Sequence, residues 1–173
     1  GIPGVGTTAN IIYGISKNPW DLKRSTAGSS GGAGAIVSAG GASFDIGSDY
    51  GGSIRMPAHN NGTCGLKPTF GRVPRTGHIV DIGGIFDSWQ EIGPLTRRVE
   101  DLNLITGLIC GPDYKDAAMI PIPWRDPAGV DVKGLRVGCY AENGVAEITP
   151  ESVAIVKKAA AYFSELGCPV KED

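Results

Sequence analysis

A chain of 173 residues with 41% hydrophobic side chains holds about one domain of sequence and enough apolar material for a core, which excludes a disordered or fibrous protein. With 16 Lys and Arg against 18 Asp and Glu, the net charge is −2 and no basic stripe is present, so nucleic acid is not an expected partner. No run approaches the ~18 apolar residues of a membrane span, and the N-terminus lacks the charged-then-apolar layout of a signal peptide, so no membrane is expected either.

Taken in chain order, Ile11 to Pro19 mixes apolar residues with Asn and Pro and predicts a surface loop, with Asn18-Pro19 as a turn or extended entry. Ser30 predicts the N-cap of a helix through Gly31 to Ala39, whose small and branched residues Ala33, Ala35, Ile36 and Val37 suit close approach to other backbone. Ala42 to Ile46 predicts a short buried strand, feeding a loop over Gly47 to Ser53. Val99, Leu102, Ile105 and Leu108 fall at helical spacing and predict a core-facing helix over 99–109, ended by Gly111-Pro112. Pro112 to Lys133, with Pro121, Pro123 and Pro127, predicts a long irregular connection.

Leu135 to Cys139 predicts a strand, and Thr149-Pro150-Glu151 opens the clearest helix, with a capping hydroxyl and proline at its first position. Val153, Val156, Ala160, Phe163 and Leu166 form its expected buried stripe, and Gly167 its stop. With Pro169-Val170 starting another strand, residues 134–173 predict a β-α-β unit of a parallel or mixed sheet. The expected organisation is a core over 1–111, the connection over 112–133 and this unit. Gly1 in place of an initiator Met, and Val170 to Asp173 stopping where a strand begins, lead to the expectation of an excerpt from a longer chain.

The four cysteines, Cys64, Cys110, Cys139 and Cys168, stand 46, 29 and 29 residues apart without a C-x-x-C pair. Neither a disulfide framework nor a zinc site is expected, Cys64 and Cys139 read as buried small apolar residues, and a reducing, cytoplasmic setting fits best. Of the 27 glycines, 11 fall between Gly28 and Gly65, so one region has an unusual backbone. It holds Gly28-Ser29-Ser30-Gly31-Gly32 and, 24 residues after Ser29, Ser53 within Asp49-Tyr50-Gly51-Gly52-Ser53-Ile54-Arg55. Two serine sites on two glycine-rich loops suit a serine nucleophile with a second hydroxyl as relay, and Gly51 and Gly52 leave backbone N–H groups open to an oxyanion beside Ser53. Asp49 and Arg55 bracket the loop and read as its structural support.

These residues resemble the amidase signature family, serine hydrolases that cleave carboxylic amides. The resemblance extends through Asn18-Pro19-Trp20-Asp21, the Gly-Ser-Asp-x-Gly-Gly-Ser-Ile-Arg-x-Pro run at 47–57, Cys64-Gly65-Leu66-Lys67-Pro68-Thr69 with Gly71-Arg72, and Gly93-Pro94-Leu95-Thr96-Arg97. It implies an α/β fold, part of a large mixed β-sheet core surrounded by helices and present here as a fragment, with a Ser-Ser-Lys triad. By resemblance Ser53 is the nucleophile and Ser29 the bridging serine, preceded by a cis peptide bond from Gly28. Ser30 is a supporting serine, and the N–H groups of Tyr50, Gly51, Gly52 and Ser53 form the oxyanion hole. No cofactor and no metal are implied. The expected partners are a small-molecule amide and, as the assembly compatible with it, a second copy in a homodimer.

The family commonly has glycine where Ala27 stands, a change expected to be harmless unless the position needs positive φ. Its catalytic lysine lies upstream of the serine loop; Lys17 and Lys23 are too near that loop and Lys67 is in another motif, so the chain alone is expected to be inactive. Three other readings stay open. The A subunit of a glutamyl-tRNA amidotransferase shares the triad and hands ammonia to a partner; a non-catalytic amidase-fold binding protein would have lost the lysine. A Ser-His-Asp triad could join Ser53 to His59 or His78 and to Asp49 or Asp81. Phosphate-binding motifs are absent, and Trp20, Trp89 and Trp124 read as packing or loop anchors.

Overall fold

The computed structural model describes residues 6–79, 84–142, 144–145 and 147–172. Two compact units form, Gly1–Arg125 and Asp126–Asp173.

The first unit opens with a two-residue antiparallel pair, β1 (Ala9–Asn10) and β2 (Gly14–Ile15), so the predicted loop from Ile11 is entered as a hairpin. Asn10 Oδ1 closes it by accepting the N–H groups of Ile12 and Tyr13, a local bond that asparagine makes readily in turns. Helix α1 (Gly31–Ser38) follows, then β3 (Phe44–Asp49), α2 (Arg55–Asn61), β4 (Cys64–Gly65), a 3-10 turn over Gly84–Trp89, β5 (Glu91–Thr96) and α3 (Val99–Ile109). The sheet order is β3-β5-β4, antiparallel throughout, with Asp49 opposite Glu91 and Phe44 and Cys64 both opposite Thr96.

The strand predicted over 42–46 lies instead at 44–49, and it is not buried: Phe44 and Ile46 are exposed while Asp49 is fully buried. Gly47, Ser48 and Asp49 are strand and not loop because β5 supplies ladder partners for each of them. Helix α2 has no apolar period, so its sequence gives no helical signal. Its C-terminal carbonyls are met by side chains from elsewhere, a requirement at any buried helix end. Asn18 Nδ2 donates to the Asn60 carbonyl, while Trp20 Nε1 and Ser38 Oγ donate to that of Asn61. The Asn18-Pro19-Trp20 motif is thereby a cap for α2. In the same way Arg97 Nη1 donates to the carbonyls of Val37 and Ala42, at and beyond the end of α1.

Ile54, Ala58 and Leu95 form the buried cluster, with Ala33 of α1 packed against it. Ile54 and Leu95 are fully buried, each contributing about 1.5–3 kcal/mol relative to exposure. In α3 only Ile105 and Thr106 are buried; Val99 and Leu108, predicted to face the core, are exposed. Gly93 in β5 is where the sheet meets the segment after β4, for a Cβ there would sit on the Leu66 carbonyl oxygen and 2.9 Å from Pro68 Cδ. Gly93→Ala is therefore expected to lower stability by about 2 kcal/mol or more, since backbone must move to admit the methyl. Urea denaturation checks this, and unchanged stability would contradict the packing.

The second unit holds two 3-10 turns, Pro127–Gly129 and Val132–Gly134, then β6 (Val137–Cys139), α4 (Pro150–Glu165) and β7 (Val170–Glu172). β6 and β7 pair in parallel, Val137 with Val170 and Cys139 with Glu172, through α4. Thr149 caps α4 by accepting the Ser152 N–H, and Pro150 occupies its first turn. The stripe Val153, Val156, Ala160, Phe163 and Leu166 falls on the inward face but is half-buried, with no residue of α4 fully buried. Leu135, predicted to start the strand, lies outside β6 and is exposed. All four cysteines are free; Cys64 and Cys139, predicted to be buried, are half-buried, and Cys168 is buried.

Candidate active site

The two glycine-rich loops meet at the end of β3. The Ser30 N–H donates to the Ser53 carbonyl at 3.1 Å, and the Ser30 hydroxyl bridges the N–H and C=O of Ser48 at 3.3 and 3.4 Å. That bridge replaces the predicted capping bond, since Ser30 makes no side-chain bond to α1. The peptide bond between Gly28 and Ser29 is cis. Ala27 takes a positive φ of 58°, a left-handed conformation that costs about 1–2 kcal/mol in an L-residue, so the exception named for this position applies and alanine is not harmless there.

A residue absent from the sequence analysis anchors this loop. Thr8 is buried, its hydroxyl donating to the carbonyl of Ala27 at 2.9 Å and accepting the Gly31 N–H at 3.1 Å. Asn61, fully buried at the end of α2, donates to the Thr26 carbonyl at 3.0 Å. A lone threonine gives no sequence signal for such a role, whereas the closeness of Asn61 to the Ser53 motif is a signal in the sequence.

The Ser53 loop is organised by Asp49. Its carboxylate accepts the N–H of Gly52 at 2.7 Å and those of Ile54 and Arg55 at 3.1 and 3.2 Å, and it takes both Nε and Nη2 of Arg55 at 2.9 Å. Burial pushes the carboxyl upward, but the Arg55 guanidinium and the three N–H groups overcome it and hold the pKa at about 2. Gly52 sits at φ 121°, where side chains are rarely accommodated, and a Cβ would also press on Met56 Sδ at 2.9 Å. Of the four N–H groups expected for an oxyanion, that of Gly52 is committed to Asp49. Those of Tyr50, Gly51 and Ser53 make no hydrogen bond among the described residues.

The three serines differ in what their hydroxyls do. Ser30 is committed to Ser48, while the half-buried Ser29 and Ser53 have no hydroxyl partner among the described residues. The rival histidine triad is not assembled at Asp49, whose oxygens are taken by Arg55 and backbone; His59 is exposed, and Asp81 lies outside the described residues. Among the described residues no group of three or more His, Cys, Asp or Glu could hold a metal ion. None of their helices is long and apolar enough to cross a membrane.

Glu91, opposite Asp49 across the sheet, is a second buried carboxyl that the sequence analysis does not single out, although an acid in the otherwise apolar run to Leu95 is its trace. Its Oε1 accepts the Gly71 N–H at 2.7 Å and its Oε2 is buried without a partner among the described residues. Burial raises its pKa from 4.5 to about 7, against the opposing pull of the Gly71 N–H, Lys67 and Arg75. The folded value exceeds the unfolded one, so this stabilisation is complete below pH 4.5 and is lost as pH rises through 7, by about 3 kcal/mol in all. Urea denaturation at pH 5 and pH 8 should show that loss, and Glu91→Gln should flatten it; an unaltered slope in the variant would reject the assignment.

A family model described as Amidase matches residues 4–172. The chain belongs to the amidase family, the amidase signature enzymes. It is 44% identical over 169 residues to the A subunit of the glutamyl-tRNA(Gln) amidotransferase of Moorella thermoacetica, a match that takes in 96% of this chain and 34% of that protein. Among solved structures, 6-aminohexanoate cyclic dimer hydrolase complexed with substrate superposes with a TM-score of 0.85 at 32% identity, over 98% of this chain and 36% of that one. The A subunit of the glutamyl-tRNA(Gln) amidotransferase of Thermotoga maritima superposes with a TM-score of 0.84 at 31% identity, over 98% and 37%. The chain thus has the amidase signature fold and spans about a third of the length of the curated relatives it matches.

Proposed function

We propose that this chain carries the serine half of an amide-cleaving active site, with Ser53 as nucleophile and Ser29 as the proton relay. The observation that carries this reading is the division among the three serines: among the described residues two hydroxyls and three nearby N–H groups are unpartnered, and the third hydroxyl is spent on structure. In the reaction, Ser29 takes the Ser53 proton and passes it to a neutral lysine while Ser53 Oγ attacks the amide carbonyl. The N–H groups of Tyr50, Gly51 and Ser53 receive the oxyanion, and Gly52 shapes the turn through Asp49. The C–N bond then breaks as the nitrogen takes the proton back through Ser29, leaving an acyl-serine and releasing ammonia or amine. Water, deprotonated along the same route, hydrolyses the ester to a carboxylate and restores Ser53.

The reading assigns the lysine to the part of the relatives' length that these 173 residues do not span, and the 173 residues alone are accordingly inactive. Its substrate is a small amide, it needs no metal or organic cofactor, and it works in the cytoplasm. Fluorophosphonate labelling of the whole protein, with the adduct mapped by mass spectrometry, tests it. An adduct on Ser53 that slows strongly in Ser29→Ala supports the assignment. Absence of any adduct supports a non-catalytic amidase-fold protein, and an adduct elsewhere reassigns the nucleophile.

The 44% identity to the A subunit of an amidotransferase favours a second reading, in which the same acyl-serine step releases ammonia to a protein partner instead of solvent. Ammonia transfer to charged tRNA, dependent on added subunits, would establish it. Both readings share Ser53 and Ser29.

A further inference from the structure

The end of β5 beside the serine loop carries aromatic side chains that the hydrolytic steps leave unused. Trp89 lies 5.9 Å from Tyr50 between ring centroids, tilted at 39°, and 5.4 Å from Phe86 in an edge-on arrangement at 78°. The three rings make one continuous surface with Trp89 at its centre. Within these residues Trp89 is 56% and Phe86 51% exposed, and Tyr50 is half-buried. The charges flanking it are paired, Asp87 with Arg75 at 2.7 Å and Asp49 with Arg55 at 2.9 Å. What it offers a ligand is therefore apolar ring area.

Position ties this surface to the candidate site. Tyr50 contributes both a ring to the aromatic surface and the first of the unpartnered N–H groups. A carbonyl whose oxygen rests on the N–H groups of Tyr50, Gly51 and Ser53 places its substituents next to the Tyr50 side chain. On the serine reading the departing nitrogen takes its proton through Ser29, and the acyl substituent is the one assigned to the rings. Resting on the serine reading above, we propose that Tyr50, Trp89 and Phe86 form the acyl-binding wall and that the substrate is an amide with an aromatic or similarly flat apolar acyl group. Aromatic faces favour such a group through offset or edge-on packing in addition to burial.

Steady-state kinetics of the whole protein on phenylacetamide, acetamide and L-glutamine test this. The expected result is a kcat/KM for phenylacetamide about tenfold or more above those of the other two, with Trp89→Ala reducing that preference at least tenfold, chiefly through KM, and Trp89→Phe restoring most of it. Phe86→Leu should shift the preference in the same direction and serves if Trp89→Ala fails to fold. A preference unchanged in the variants, or acetamide or glutamine favoured by the unmodified protein, overturns the wall while Ser53-dependent turnover keeps the serine reading intact. Turnover that survives Ser53→Ala, or no turnover of any amide, overturns the serine reading and the wall with it.

Discussion

On the serine mechanism proposed above, replacing Ser53 by alanine in the whole protein is expected to lower amide turnover by about 10⁴-fold or more, because that mechanism loses its acyl-enzyme route and keeps only binding and oxyanion stabilisation. Ser29→Ala should cost less, about 10²–10⁴-fold, the range in which a positioned proton relay contributes. Ser30→Ala separates a structural role from a chemical one. Its hydroxyl bridges the N–H and C=O of Ser48, so its loss should lower stability by about 1 kcal/mol and turnover by less than tenfold. The informative quantity is the order Ser53, Ser29, Ser30 in kcat/KM. If Ser30→Ala were as damaging to turnover as Ser29→Ala with the fold intact, the division between free and committed hydroxyls would not describe the chemistry. Full activity in Ser53→Ala would remove the nucleophile assignment outright.

How far the sequence foretells this arrangement depends on whether each feature is local. Helix α4 is legible because Thr149, Pro150 and an apolar stripe at helical spacing all lie within it, and the start of α3 falls where its periodicity places it. Glycine clustering marks both serine loops. The sense of burial is less legible, since period alone shows which residues share a face and not what covers that face, as exposed Val99 and Leu108 illustrate. Non-local causes escape altogether. Gly47, Ser48 and Asp49 have little strand propensity and are strand because β5 lies alongside them, and α2 is a polar helix whose end is completed by Asn18, Trp20 and Ser38. The Ser30 hydroxyl illustrates competition: a serine before a helix is a good cap by preference, but Ser48, 18 residues on, supplies both a donor and an acceptor.

Asp49→Ala is expected to be the most destabilising side-chain replacement in the loop, by about 3–5 kcal/mol, since each buried N–H left without an acceptor costs about 1–3 kcal/mol. The reason is what stays behind. The N–H groups of Gly52, Ile54 and Arg55 lose their acceptor at a position with no exposed surface, and the Arg55 guanidinium loses a two-point partner. Arg55→Ala should be milder, because Arg55 is 55% exposed and water can replace it while Asp49 keeps its backbone donors. The pH dependence has a definite sign. The folded pKa of about 2 lies below the ordinary 3.8, so the carboxylate's stabilisation is complete above about pH 4 and lost as pH falls through 2, by about 2 kcal/mol. Urea denaturation between pH 2 and pH 6 should show this loss in the unmodified protein and not in Asp49→Ala. Because the same carboxylate fixes the turn that exposes the N–H groups of Tyr50, Gly51 and Ser53, the variant should also lose turnover mainly in kcat, the mark of an oxyanion site pulled out of shape. A variant with unchanged stability and unchanged kcat would show that the turn holds itself without Asp49.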